Sequence, residues 1–168
     1  MLAKYLLLLG FFAIVHAADI LTYKIMDFQG SMLQLTSIGS NSLVPVESVK
    51  NAKGKGLNWN FIYAARGNPN EYSITNKDGP SILSYTTASM MNPSSALHAQ
   101  IVGNQNVGTF WILEFLDRNG TISFTEKTSG LAITAWPAGK GSQYSPLTLE
   151  KYDTKNPQQV FKLIDLSA

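Results

Sequence analysis

The chain has 168 residues, no cysteine, and 13 basic against 11 acidic residues, a formal net charge of +2. So small an excess argues against a nucleic-acid-binding surface or a polybasic membrane anchor. The absence of cysteine excludes a disulfide framework and any thiolate chemistry.

From the N-terminus, Lys4 supplies a positive charge, residues 5–15 form an almost unbroken apolar run, and Val15-His-Ala17 ends in a small residue. That order predicts a secretory leader, residues 1–17, rather than a spanning helix, for which the run is too short. Removing 17 of 168 residues leaves 151, enough to bury a core without disulfides. The expected protein is secreted and extracellular, with residues 18–168 as a single domain.

Beyond the leader, strand signals dominate. Residues 20–25, 32–35, 61–64, 72–75, 82–85, 97–102, 111–115, 122–125, 147–149 and 160–164 are short runs rich in β-branched and aromatic residues, bounded by Gly, Asn, Pro and Ser. No stretch of helical length carries a helical period. Asp117-Arg-Asn119-Gly120 reads as a tight primed hairpin turn, and Gly67-Asn-Pro69-Asn70 stands in the same place one unit earlier. Asn119-Gly120-Thr121 is also a glycosylation sequon, which predicts a glycoprotein with its glycan on a surface turn.

Two series of landmarks recur in step. Phe61, Trp111 and Phe161 are spaced 50 and 50, within Trp59-Asn-Phe61-Ile-Tyr63, Thr109-Phe-Trp111-Ile-Leu113 and Gln159-Val-Phe161-Lys-Leu163. Gly30, Gly79 and Gly130, spaced 49 and 51, each precede a short apolar run and are expected at positive φ. Self-similarity at one period implies three copies of one unit of about 50 residues, each with about four strands. A unit this small cannot bury its own apolar face, so three must share a core. A closed threefold barrel fits that requirement best, with the aromatic triplet filling the shared interior.

Asn156-Pro-Gln158-Gln159-Val-Phe161-Lys-Leu163 resembles the Gln-x-Trp signature that ends each repeat of the ricin B-type lectin family, with Phe in place of Trp. Trp59 and Thr109 stand where the glutamine would be in the other two repeats. The resemblance implies an all-β fold, a β-trefoil of three pseudo-repeats. It also implies sugar binding by three kinds of group: a carboxylate just after the glycine, an aromatic ring to stack on the pyranose, and an amide pair at the signature. Gln158 and Gln159 match the amides in the third repeat, and Trp136, Tyr144 or Tyr152 offers the ring. Thr134 occupies the carboxylate position. The first repeat has Gln34 there, with Asn58 as an amide, and the second has Leu83 or Ser84. No repeat keeps the acid. Gln159 has a second reading, as an amide that only fixes a turn through backbone hydrogen bonds, and Trp136 has one as a cap on the barrel end.

Catalysis finds little footing in these residues. His98 is the only histidine after residue 17, and it sits in an alternating run where an outward polar side chain is expected. No zinc set, Cys–His pair or Gly-x-Ser-x-Gly elbow is present. Lys50-Asn-Ala-Lys53-Gly-Lys55-Gly lacks phosphate-loop spacing and reads as a solvated loop. The expectation is therefore a secreted lectin without enzyme activity, cofactor or metal, binding glycans or glycoproteins and neither nucleic acid nor membrane. Its contacts are Thr134, Trp136, Tyr152, Gln158 and Gln159 in the third repeat. The alternative is a secreted protease inhibitor or protein-binding ligand that acts through an exposed loop, residues 67–70 or 90–95, and a third reading is a scaffold that has lost its sugar sites.

Overall fold

The computed structural model describes residues 20–39, 43–64, 69–90 and 93–166. The expected leader lies outside the described residues, as do residues 67–68 of the 67–70 loop and 91–92 of the 90–95 loop. Among the described residues there are twelve strands and no α-helix. The first unit contains β1 (Ile20–Met26), β2 (Met32–Leu35), β3 (Leu43–Val49) and β4 (Trp59–Tyr63). The second contains β5 (Glu71–Asn76), β6 (Ile82–Tyr85), β7 (Ile101–Asn104) and β8 (Trp111–Phe115). The third contains β9 (Thr121–Glu126), β10 (Ala132–Ala135), β11 (Tyr144–Glu150) and β12 (Phe161–Asp165).

The first and fourth strands of every unit pair in a closed ring, β1–β4–β5–β8–β9–β12 and back to β1, antiparallel throughout. The second and third strands form the hairpins β2–β3, β6–β7 and β10–β11. These join one another through β3–β7, β3–β11 and a bridge between Gln100 and Thr148, so the hairpins form a cap with its own threefold arrangement. Closure of the ring leaves its six strands no free edge.

The ring is filled by threefold-equivalent side chains. Ile25, Ile74 and Phe124 point inward from its first strands, and Phe61 and Leu113 from the fourth strands. Phe124 meets Phe161 edge-on at 5.4 Å and Phe61 at 6.4 Å between ring centroids, so aromatic packing crosses the axis. Trp59, Trp111 and Phe161 open β4, β8 and β12, and all three are buried. The Trp59 indole donates to the Leu33 carbonyl at 3.1 Å and the Trp111 indole to the Leu83 carbonyl at 3.0 Å.

That register corrects the sequence reading of the first unit. Trp59, not Phe61, is the counterpart of Trp111 and Phe161, and Leu57 rather than Trp59 stands at the glutamine position. The connection from β4 to β5 spans 64–70, whereas that from β8 to β9 spans 116–120. The two extra residues disguise a true spacing of 52 as one of 50 two positions later.

Other local expectations also change. Gly30 and Gly130 have φ of +79° and +68°, as expected, but Gly79 is not left-handed. Pro80 follows it and holds it toward extended backbone. At the β8–β9 turn only Gly120 is at positive φ, so the turn is not a primed two-residue turn. Instead the Asp117 carboxylate accepts from the Asn119 and Thr121 amides and gathers a longer loop around itself. His98 is not in a strand: residues Pro93–Ala96 form a 3-10 helix, and His98 follows in the left-handed region at φ 65°.

Candidate functional site

The outer face of the β10–β11 hairpin carries the third-repeat candidates. Cross-strand pairing sets Thr134 against Thr148 and Ala132 against Glu150, so these four share one face by the two-residue period of a strand. Trp136 continues that face, its amide bonded to the Pro146 carbonyl. A short 3-10 helix, Pro157–Gln159, packs beside β10; Asn156 caps it by accepting from the Gln158 amide at 3.0 Å.

Two of the five predicted residues are brought together and sealed. Gln159 donates to the Thr134 hydroxyl at 2.9 Å and to the Lys151 carbonyl at 2.9 Å, and accepts from the Asp153 amide at 2.8 Å. Both Thr134 and Gln159 are 1% exposed. They are therefore corrected from sugar contacts to positioning residues: their hydrogen-bonding groups are occupied and covered, and they fasten the 151–159 loop to the hairpin. Replacing Gln159 with alanine strands three such groups and is expected to cost about 2–3 kcal/mol. Gln158→Ala, on the half-buried neighbour, is expected to stay within about 0.5 kcal/mol; thermal unfolding of the two variants measures the contrast.

Tyr152 leaves the group altogether. Its hydroxyl donates to the Glu114 carboxylate and accepts from Ser123 at 3.2 Å, against the barrel wall. Burial, and then the Glu114 hydrogen bond, push that hydroxyl above the usual tyrosine range. Tyr144, the other ring weighed for this repeat, lies at the start of β11 beside the first unit's hairpin.

Trp136 remains open, 39% exposed, and its indole is held in a chain of polar groups. The indole N–H donates to the Thr148 hydroxyl at 2.8 Å, and that hydroxyl donates to Glu150 Oε1 at 2.6 Å. His98 Nδ1 lies 2.8 Å from Glu150 Oε2, with its side chain 73% exposed. The site thus has a carboxylate that sequence reasoning did not assign to it. Glu150 stands on the β11 strand rather than after the glycine on β10. The alternation Thr148-Leu149-Glu150 was the available signal for two of these groups. His98 arrives from 52 residues away and left no signal.

The other two repeats differ at the same level. Gln34, Ser84 and Thr134 are equivalent by register, which resolves the choice in the second repeat in favour of Ser84. Ser84 is buried and Leu83 belongs to the core, so the second hairpin offers no open polar position there. In the first repeat Gln34 donates to the carbonyls of Lys53 at 3.2 Å and Lys55 at 2.8 Å.

No family model and no curated protein matches the sequence. Solved structures do match in fold. A designed threefold-symmetric protein, ThreeFoil, is 18% identical over 86% of this chain and 99% of its own, with a TM-score of 0.70. The Rhizoctonia solani agglutinin is 13% identical over 89% of this chain and 98% of its own, also at 0.70. A ricin B-like lectin from Macrolepiota procera, solved in complex with lactose, is 16% identical over 90% of this chain and 98% of its own, at 0.62. The chain shares the β-trefoil fold of these proteins. In those terms the ring β1–β4–β5–β8–β9–β12 is the trefoil barrel and the three hairpins are its cap. The third-repeat candidates then lie on the outer face of a cap hairpin of this trefoil.

Proposed function

We propose that this protein is a secreted, non-catalytic carbohydrate-binding protein that takes its ligand on the outer face of the third repeat. The observation that carries the reading is the open Trp136 ring tied through Thr148 to the Glu150 carboxylate. A pyranose presents an apolar C–H face and a set of hydroxyls, and this pair supplies one surface for each. His98 and Gln158 extend the polar rim, while Thr134 and Gln159 hold the loop beneath it. The trefoil matches, two of them an agglutinin and a lectin with lactose bound, support the same class of ligand.

Trp136→Ala is expected to reduce glycan binding by about tenfold or more, the usual cost of removing a tryptophan at the centre of a contact, with the thermal midpoint nearly unchanged. The measurement is a glycan array of residues 18–168 beside Trp136→Ala and Gln158→Ala. A blank array from folded protein, or binding that ignores Trp136, would sink the proposal and return weight to a protein ligand held by a loop.

A further inference from the structure

A second surface lies beyond the Trp136 loop, where Gln29 donates to the Trp136 carbonyl at 3.0 Å and accepts from the Ala138 amide at 3.1 Å. Two clefts adjoin on the cap where the first and third repeats meet. One, of about 460 Å³, is lined by Gln34, Glu47, Lys50, Asn51, Lys53 and Tyr144 among others. The other, of about 480 Å³, runs from Gln29 and Ser31 to the 138–143 loop. Lys50, Asn51 and Gln143 border both. The divide between them is the β3–β11 seam, where the Lys50 amide donates to the Gln143 carbonyl at 2.8 Å.

The loop that read as merely solvated, residues 50–56, is built to present Lys50 and Lys53 to this groove. Gln34 grips the carbonyls of Lys53 and Lys55, and the Gly56 amide donates to Asp78 at 2.8 Å. The Gly56 carbonyl takes the Leu35 amide at 3.0 Å and the Asn76 side chain at 3.1 Å. Asn51, Gly54 and Gly56 all sit at positive φ, and a side chain at Gly56 would drive a Cβ to 2.7 Å from the Leu35 carbonyl oxygen. A loop fastened in this way loses little further entropy when a ligand binds. Among the described residues neither Lys50 nor Lys53 has a carboxylate partner, the ion pairs being His98–Glu150 and Lys127–Glu71. On the far wall the Tyr144 ring is 57% exposed, its backbone pinned by the Ser142 hydroxyl.

We propose that this groove binds an acidic saccharide, a sugar chain carrying carboxylate or sulfate groups. Lys50 and Lys53 hold the anionic groups, Tyr144 stacks on a ring face, and Glu47 accepts from hydroxyls. Glu47 argues for a saccharide over a nucleic acid. A carboxylate within the cleft repels a phosphodiester chain that offers it few donors, but is satisfied by sugar hydroxyls. The chain's small net charge makes the two unpaired lysines a local feature rather than part of a basic surface.

The test is titration calorimetry at low salt, about 50 mM, where screening is weak. The probes are an oligogalacturonate, a heparin-derived tetrasaccharide, a neutral oligosaccharide of equal length and a short single-stranded DNA. Binding of either acidic saccharide is expected, falling about tenfold for each of Lys50→Gln and Lys53→Gln, the loss of one charge-assisted hydrogen bond. Whichever acidic probe binds tells carboxylate from sulfate. Tyr144→Ala is expected to weaken binding and Glu47→Gln to weaken it too; an unspecific basic patch would instead tighten when Glu47 is neutralised. The idea is overturned by no heat with either acidic saccharide, by equal binding of the DNA or the neutral sugar, or by indifference to the lysine variants in protein of unchanged thermal midpoint. The Trp136 side chain lines neither cleft and its backbone carbonyl is kept in Trp136→Ala, so failure here and failure of the third-repeat reading are told apart.

Discussion

Trp111→Ala is expected to lower stability by about 3–5 kcal/mol, because a fully buried indole is removed from a closed barrel that cannot collapse around the gap. At this chain length each kcal/mol moves the thermal midpoint by about 2–4 °C, so the fall should be on the order of 6–20 °C. Trp111→Phe divides the effect. The third repeat already uses Phe161 at the equivalent position, buried and edge-on to Phe124, so the barrel accepts a phenyl ring there. What the phenylalanine variant loses is the 3.0 Å indole hydrogen bond to the Leu83 carbonyl and part of the packing volume. Its cost is therefore expected near 1–2 kcal/mol. Differential scanning calorimetry of the three proteins reads both steps. Equal midpoints for Trp111→Phe and Trp111→Ala would mean that the hydrogen bond, not the packing, holds this position.

The threefold plan was legible because barrel positions cannot drift. Ile25, Ile74 and Phe124 recur at 49 and 50 residues, and Gln34, Ser84 and Thr134 at 50 and 50. Each set must occupy the same level of one closed ring or cap. Loop length has no such constraint, and the longer β4–β5 connection was enough to shift the reading of the first unit by two residues. β3 went unread, and β11 was cut to residues 147–149, for one shared reason. Pro45 and Pro146 interrupt their runs, and proline argues against a strand. Each lacks an N–H to donate but keeps its carbonyl in the ladder, Pro45 accepting from the Thr36 amide and Pro146 from the Trp136 amide.

The candidate site was only half legible. Sequence reading named Trp136 and the signature amides but could not tell the buried Gln159 from the half-buried Gln158, since neighbouring residues on a 3-10 turn point about 120° apart. Nor could it place Tyr152, whose partners Glu114 and Ser123 come from strands 38 and 29 residues away. The least visible feature was the most regular one. Asp27, just past β1, and Asn76 and Glu126, the last residues of β5 and β9, stand 49 and 50 residues apart, and all three are buried. A polar residue at a strand end reads as the beginning of a loop. Here each one turns inward and organises the turn that launches its hairpin.

Glu126 is the extreme case, and the second large effect is expected there. Its carboxylate accepts from the Thr128 amide at 3.0 Å, the Ser129 amide at 2.7 Å, the Ser129 hydroxyl at 2.8 Å and the Thr109 hydroxyl. Glu126→Ala strands those donors and is expected to cost about 3 kcal/mol. Burial pushes the carboxyl up from its ordinary value of 4.5, but these hydrogen bonds outweigh it and hold the group below that value. A depressed folded-state pKa means that the unfolded chain takes up the proton first as pH falls. The stabilisation is thus complete well above the ordinary glutamate range and declines as pH drops through the folded-state value. Glu126→Gln removes that titration, and Asn76 at the equivalent position shows that an amide can fill the role. The thermal midpoint of the wild type should therefore fall more steeply with acidification than that of Glu126→Gln, the two curves converging as Glu126 is protonated. Parallel curves would mean that the buried carboxyl keeps the same pKa folded and unfolded, and that its four donors hold it by geometry alone.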